Sequence, residues 1–235
     1  MNSQTLRQTV PGPVGAIECA IDSPWEPPVG VAVVCHPHPV YGGTLDNKVV
    51  QTLARAFVQL GWRSVRFNFR GVGASHGQWD EGVGEIDDAL AVIEAQRGTQ
   101  QPLLLAGFSF GAYAAATAAA RLPPSAKAQR LVLIAPSTQR QQVPSVPPDT
   151  LVIHGDADDI VPLSATLEWA RPMVLPVIVV PGVGHFFHGR LGLLKSILFS
   201  QLQAAPSRSE RPQGRATPSA PPVVVNEPLS GPAVP

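Results

Sequence analysis

The sequence predicts an α/β protein, a mostly parallel sheet with helices on both faces. Three observations carry that prediction. Strand-length apolar stretches alternate with helical patterns as far as residue 203, as repeated strand–helix units require. Most of these stretches are continuously apolar rather than alternating, which fits strands covered on both faces. The residues with chemical potential fall at the carboxyl ends of the stretches, where open α/β sheets form their sites.

In chain order, the predicted strands are Ala16–Ile21, Val29–Cys35, Arg63–Asn68, Leu103–Gly107, Leu131–Ala135, Leu151–His154 and Val177–Val180. Helices are predicted between them. Asp46–Leu60 places Val49, Val50, Leu53, Ala54, Phe57 and Val58 on one face, the period of an amphipathic helix. Gly84–Gln96, Phe110–Arg121 and Pro162–Ala170 follow, and Leu191–Leu202 closes the series. From Ala204 the composition turns to Pro, Ser, Ala and Gln, which cannot bury enough apolar surface to offset the entropy of ordering. The expected organisation is therefore one domain over residues 1–203 and a disordered tail over 204–235.

With 235 residues, 44% of them hydrophobic and 14% charged, the chain can build one well-buried core. Lys and Arg are scattered and the formal net charge is zero, so neither nucleic acid nor a membrane is an expected partner. The start of the chain lacks a signal-peptide core and no apolar run is long enough to span a bilayer, which predicts a cytoplasmic protein. Cys19 and Cys35 lie in predicted strands and are read as small buried hydrophobes rather than a disulfide.

The chemistry centres on Gly107-Phe108-Ser109-Phe110-Gly111, a G-x-S-x-G turn between a predicted strand and a predicted helix. Such a turn lifts a serine hydroxyl clear of the sheet. Ser109 needs a base, and His185, just past Val177–Val180, is the best placed. His188 reads as a neighbouring or surface residue. A carboxylate must then fix the imidazole tautomer, and Asp156, Asp158 and Asp159 compete for that role after Leu151–His154. An oxyanion would be held by the backbone N–H of Phe110 and by a second donor from the Cys35–Gly43 loop. Pro37 and Pro39 have no N–H, which leaves His38, with Val40 or Tyr41 as alternatives. Tyr41, Phe108 and Trp79 are expected to line the substrate site. His36-x-His38 lacks a nearby acid or thiol to complete a metal site, so neither metal nor organic cofactor is expected. Gly71–Gly77 reads as a tight loop, since no Lys-Ser/Thr pair follows it as in a phosphate cradle.

Taken together, His36-Pro37-His38-Pro39, Gly42-Gly43-Thr44, Asp46-Asn47-Lys48-Val49-Val50 and Phe67-Asn68-Phe69-Arg70-Gly71-Val72-Gly73-Ala74-Ser75 resemble the α/β-hydrolase superfamily. Within it they resemble a group of small bacterial serine hydrolases without a lid. The resemblance spans about residues 10–200. It implies an eight-stranded sheet whose first strands are antiparallel and a Ser-Asp-His triad of Ser109, an acid in the 156–159 turn, and His185. The superfamily pattern His-Gly-x-x-Asp-x-x-Val-Pro maps onto His154–Pro162 and makes Asp158 the acid. Asn68 stands where many members have Asp, in a loop not expected to do chemistry. Pro136–Asp149 is too short for a cap, so an open site is expected. The reading is a serine hydrolase of carboxylic esters or related small acyl compounds. Peptidase, thioesterase or acyltransferase activity, or a non-catalytic binding role, are its alternatives.

Overall fold

Eight strands form one sheet in the order β1-β2-β4-β3-β5-β6-β7-β8 in a computed structural model that describes residues 5–98 and 101–203. The strands are β1 (Leu6–Gly12), β2 (Gly15–Asp22), β3 (Val31–Cys35), β4 (Arg63–Phe67), β5 (Leu103–Phe108), β6 (Arg130–Ile134), β7 (Leu151–Gly155) and β8 (Val177–Val180). From β4 to β8 every pairing is parallel. The β1–β2 and β2–β4 pairings are antiparallel. The α/β class and the mainly parallel eight-stranded sheet expected from the sequence are the observed architecture. The predicted tail at 204–235 lies outside the described residues.

Continuous apolar runs follow from burial on both faces. Along β3, Val31, Val33 and Cys35 face one core while Ala32 and Val34 face the other. In β5, Leu103 and Leu105 point one way and Leu104, Ala106 and Phe108 the other. Helices α2 (Gly84–Gln96) and α3 (Phe110–Arg121) cover the first face, and α1 (Lys48–Gln59) and α5 (Leu191–Gln203) the second. The remaining helix, α4, spans Leu163–Ala170. Asn47 starts α1 by accepting hydrogen bonds from the N–H groups of Val49 and Val50, the usual satisfaction of orphan donors in a first turn.

The apolar-run criterion overlooks β1. Its sequence, Leu-Arg-Gln-Thr-Val-Pro-Gly, buries only Val10. Pro11 is compatible with an edge strand, where a missing N–H faces away from the ladder. The strand is defined by pairing with β2 from Leu6↔Ile21 to Gly12↔Gly15, a tertiary fact that local hydrophobicity does not carry. Cys19 and Cys35 are buried free thiols, with burial pushing that of Cys19 up to about 12.

Candidate active site

The G-x-S-x-G segment makes the turn from β5 to α3. Ser109 itself carries the backbone strain, with φ 56° and ψ −118°, a region costly for any residue with a side chain. Gly107 and Gly111 are needed for space. A Cβ on Gly107 would lie 2.0 Å from the Gly111 carbonyl oxygen, and one on Gly111 would lie 2.3 Å from that of Cys35 and 2.5 Å from that of His36. The helix thus starts in direct contact with the end of β3. The turn is tied to β6 by the Ser109 N–H donating to the Ile134 carbonyl, 2.9 Å, and by the Ser137 N–H donating to the Ser109 carbonyl, 3.3 Å.

Ser109, Asp158 and His185 come from three separate strand ends and meet in one hydrogen-bonded chain. Ser109 Oγ is 3.0 Å from His185 Nε2, and His185 Nδ1 is 2.6 Å from Asp158 Oδ2. The turn after β7 and the loop after β8 are zipped together. Asp156 N–H donates to the Val180 carbonyl and Ala157 N–H to that of Val183, while Asp156 Oδ1 accepts from the Gly182 N–H at 2.6 Å. A Cβ on Gly155 would lie 2.0 Å from the Val183 carbonyl oxygen, so this approach requires glycine. Of the competing carboxylates, Asp156 is therefore spent on the loop and Asp159 is exposed.

Asp158 is saturated with donors. Its Oδ1 accepts from the N–H groups of Ile160, 2.9 Å, and Val161, 2.8 Å. Its Oδ2 faces His185 Nδ1 and, at 3.3 Å, His154 Nε2. Burial raises the carboxyl, but the hydrogen bonds from His154, His185 and Val161 outweigh it and hold Asp158 well below the usual carboxylate range. His154, fully buried at the end of β7, also places Nε2 2.9 Å from the Val161 carbonyl. Its Nε2–H is thus shared between that carbonyl and the acid. Sequence reasoning assigned His154 no role, although a histidine ending an apolar strand is itself an unusual buried polar group.

On the opposite side of Ser109 lies the loop Cys35–Gly43. The buried His36 imidazole accepts from the Phe69 N–H through Nε2, 3.0 Å, and so donates from Nδ1 to the Pro37 carbonyl, 2.6 Å. Both ring nitrogens are therefore committed to backbone. His38 begins the 3-10 turn Pro39–Tyr41, its Nδ1 accepting from the Val40 N–H at 3.3 Å. Its carbonyl accepts from Tyr41 and Gly43. That removes Tyr41 as an oxyanion donor and ties Val40 to the imidazole. The Phe110 N–H is one of the orphan donors of the first turn of α3. Among the described residues no cluster of three or more His, Cys, Asp or Glu could hold a metal. No helix among them is long and apolar enough to cross a membrane.

A cavity of ≈ 400 Å³ opens over Ser109 and His185. Tyr41 lines it, together with His38, Asn47, Ser137, Arg140 and Phe186. Phe108 corrects an expectation. It is fully buried on the face of α1 and α5, with its ring 4.8 Å from that of His185, because alternation in β5 turns it away from the opening that Ser109 faces. It supports the histidine instead of touching a ligand. Trp79, also expected to line the site, is not among the lining residues; its ring lies tilted 4.5 Å from that of His38 and edge-on 5.2 Å from that of Phe110. His188 is exposed against Phe186. Asn68 accepts from the Leu45 N–H and donates to Glu18 Oε2, a donation that an ionised aspartate could not make.

Residues 27–149 match the model of the serine aminopeptidase family S33. An α/β serine hydrolase without a lid from Xanthomonas campestris is 42% identical, with a TM-score of 0.76, over 88% of this chain and 99% of that one. An α/β serine hydrolase homologue from Coxiella burnetii is 39% identical, with a TM-score of 0.75, over 84% of this chain and 97% of that one. An uncharacterized protein of Rickettsia prowazekii is 42% identical over 115 residues, so the match takes in about half the length of that relative, 48%, and 48% of this chain. With the fold, these similarities establish that the chain belongs to the α/β-hydrolase superfamily, among its serine hydrolases without a lid.

Proposed function

We propose that the protein hydrolyses carboxylic esters or related small acyl compounds through an acyl-enzyme on Ser109. The observation that carries this reading is the unbroken hydrogen-bonded chain from Ser109 Oγ through His185 to Asp158, ending in a carboxylate held ionised by its donors. As Ser109 Oγ attacks the substrate carbonyl carbon, its proton passes to His185 Nε2, and Asp158 stabilises the imidazolium that results. The oxyanion is met by the N–H groups of Phe110 and His38, preorganised at the start of α3 and at the end of β3. His185 then protonates the leaving group, and a water activated by the same imidazole releases the acid. The acid–base chemistry needs no metal, and the cavity of ≈ 400 Å³ is in the range of small-molecule sites.

The name of the matching family model, serine aminopeptidase, favours a second reading, cleavage of an N-terminal residue. The charge of the cavity argues against it. An aminopeptidase must hold an α-ammonium group, and among the described lining residues the formally charged one is Arg140, which repels it. The test is covalent labelling. A fluorophosphonate should attach to Ser109, as located by mass spectrometry. Ser109→Ala should escape labelling and lose on the order of 10⁴-fold or more in kcat with an unchanged circular dichroism spectrum. Attachment elsewhere, or residual turnover near that of the unaltered protein, removes the proposal.

A further inference from the structure

Arg140 has no part in the acyl-transfer chemistry, yet it is placed with care. The loop that carries it leaves β6 through Ala135, strained at φ 42°, and is pinned at several points. Ser137 N–H donates to the Ser109 carbonyl, Gln141 N–H donates to that of Ser137, Thr138 Oγ1 lies 3.2 Å from Thr166 Oγ1, and Trp169 Nε1 donates to the Val143 carbonyl. The loop is therefore fixed to the nucleophile turn itself. Its arginine reaches over the Tyr41 ring, 5.9 Å from the centroid, a contact that orients a guanidinium without neutralising it. No carboxylate among the described residues forms an ion pair with it. The guanidinium thus belongs to the lining of the cavity without a direct ion-pair partner among the described residues.

The neighbouring polar groups share that bias. Asn47 spends its Oδ1 on the N–H groups of Val49 and Val50, which leaves only its Nδ2 donors for the cavity it lines. The field of Arg140 reaches the oxyanion side of the site. Burial first, and the Arg140 charge next, hold the His38 imidazole below its ordinary range, with Glu81 acting less strongly in the opposite sense. The lining carries no acid among the described residues.

We infer that Arg140 makes this cavity selective for acyl substrates that bear a second, free carboxylate. The inference rests on the serine-hydrolase reading and adds the charge of its substrate. A guanidinium offers paired N–H donors that match a carboxylate, and it stands on a loop rigidly tied to the residue that would be acylated.

The experiment compares esters matched in size and differing in charge. For a carboxylate on the acyl side the pair is mono-p-nitrophenyl glutarate and p-nitrophenyl valerate. For one on the leaving group the pair is 4-acetoxybenzoate and 4-acetoxybenzamide. In at least one pair, kcat/KM for the anionic ester should exceed that for the neutral one by roughly 5- to 20-fold, the size expected of a charge-assisted contact at a partly open rim. The pair that shows it locates the carboxylate. Arg140→Gln should bring that ratio to about one by lowering kcat/KM for the anionic ester, and Arg140→Lys should retain part of it. Raising the salt concentration should lower the ratio in the unaltered protein and not in Arg140→Gln. Ratios near one in both pairs, or a preference that Arg140→Gln does not change, with neutral esters still cleaved, overturn the inference and leave the hydrolase reading intact. Absence of turnover on all four esters together with an unlabelled Ser109 overturns both.

Discussion

The two flanks of Ser109 are built by opposite means. On one, Asp158 and His185 arrive from the ends of β7 and β8 as side chains, and charge-assisted hydrogen bonds hold them. On the other, the loop after β3 offers backbone N–H groups. It is held by close packing against Gly111, by the His36 imidazole bridging Phe69 and Pro37, and by the rings of Trp79, His38 and Phe110. A side chain on the first flank can be removed with little change in core packing. Any change on the second moves backbone. The first flank should therefore separate activity from stability, and the second should couple them.

The sharpest break in this comparison is Asp158→Asn. It should cost on the order of 10²- to 10⁴-fold in kcat by favouring the wrong imidazole tautomer. Asp159→Asn, at an exposed neighbour, should cost less than about 3-fold, a surface substitution being worth only tenths of a kcal/mol. If circular dichroism shows both variants folded and Asp159→Asn proves the more damaging, the acid has been assigned to the wrong residue.

Gly111→Ala probes the other flank. Its Cβ would meet two backbone carbonyl oxygens at 2.3 and 2.5 Å, so α3 and the end of β3 must separate. The expected loss is about 3 kcal/mol, the upper end for overpacking, or roughly 6–12 °C in Tm for a domain of this size. Activity should fall with it, because the separation moves the Phe110 and His38 N–H groups apart. Differential scanning calorimetry alongside steady-state kinetics checks the coupling, and full stability with full activity would remove the argument that packing sets this flank.

The smallest effect is a pH dependence of stability. Burial pushes His36 down to about 4, and its bond to the Pro37 carbonyl only partly opposes this. In the unfolded chain the same imidazole takes a proton near pH 6.5. Between those values the unfolded state binds more protons, so this contribution is complete above pH 6.5 and is lost as the pH falls toward 4. Between pH 7 and pH 5 the loss is about 2 kcal/mol. Urea unfolding at the two pH values should show a decline larger by about that amount in the unaltered protein than in His36→Gln, even though the variant is less stable at pH 7. Equal declines would mean that His36 is not the group being titrated.

Much of this arrangement is legible in the sequence because it is local. Strand-length apolar stretches, most of them continuous, mark β2 to β8, and helical spacing marks α1. The glycines of the G-x-S-x-G turn announce the crowding that the carbonyls of Gly111, Cys35 and His36 confirm. Ser109, His185 and the 156–159 turn could be singled out because each ends a predicted strand. Other features depend on neighbours distant in the chain. β1 exists only through pairing with β2. Phe108 and Phe110 are equivalent by composition, yet strand alternation in β5 sends the first under His185, while the second opens α3 beyond the Ser109 turn and lies beside the cavity.

What the sequence by itself determined is the succession of β2 to β8 and of the helices between them, and which side chains are candidates for the chemistry, since both depend on periodicity and on residue chemistry within short segments. The tertiary structure alone decided how Asp158, already implied by the resemblance, meets His185, that His154 braces it, and that Arg140, without an ion-pair partner among the described residues, lines the same cavity as Ser109. Each of these depends on which atoms converge at a shared strand end, and convergence is set by sheet order and register, which no single segment of the chain contains.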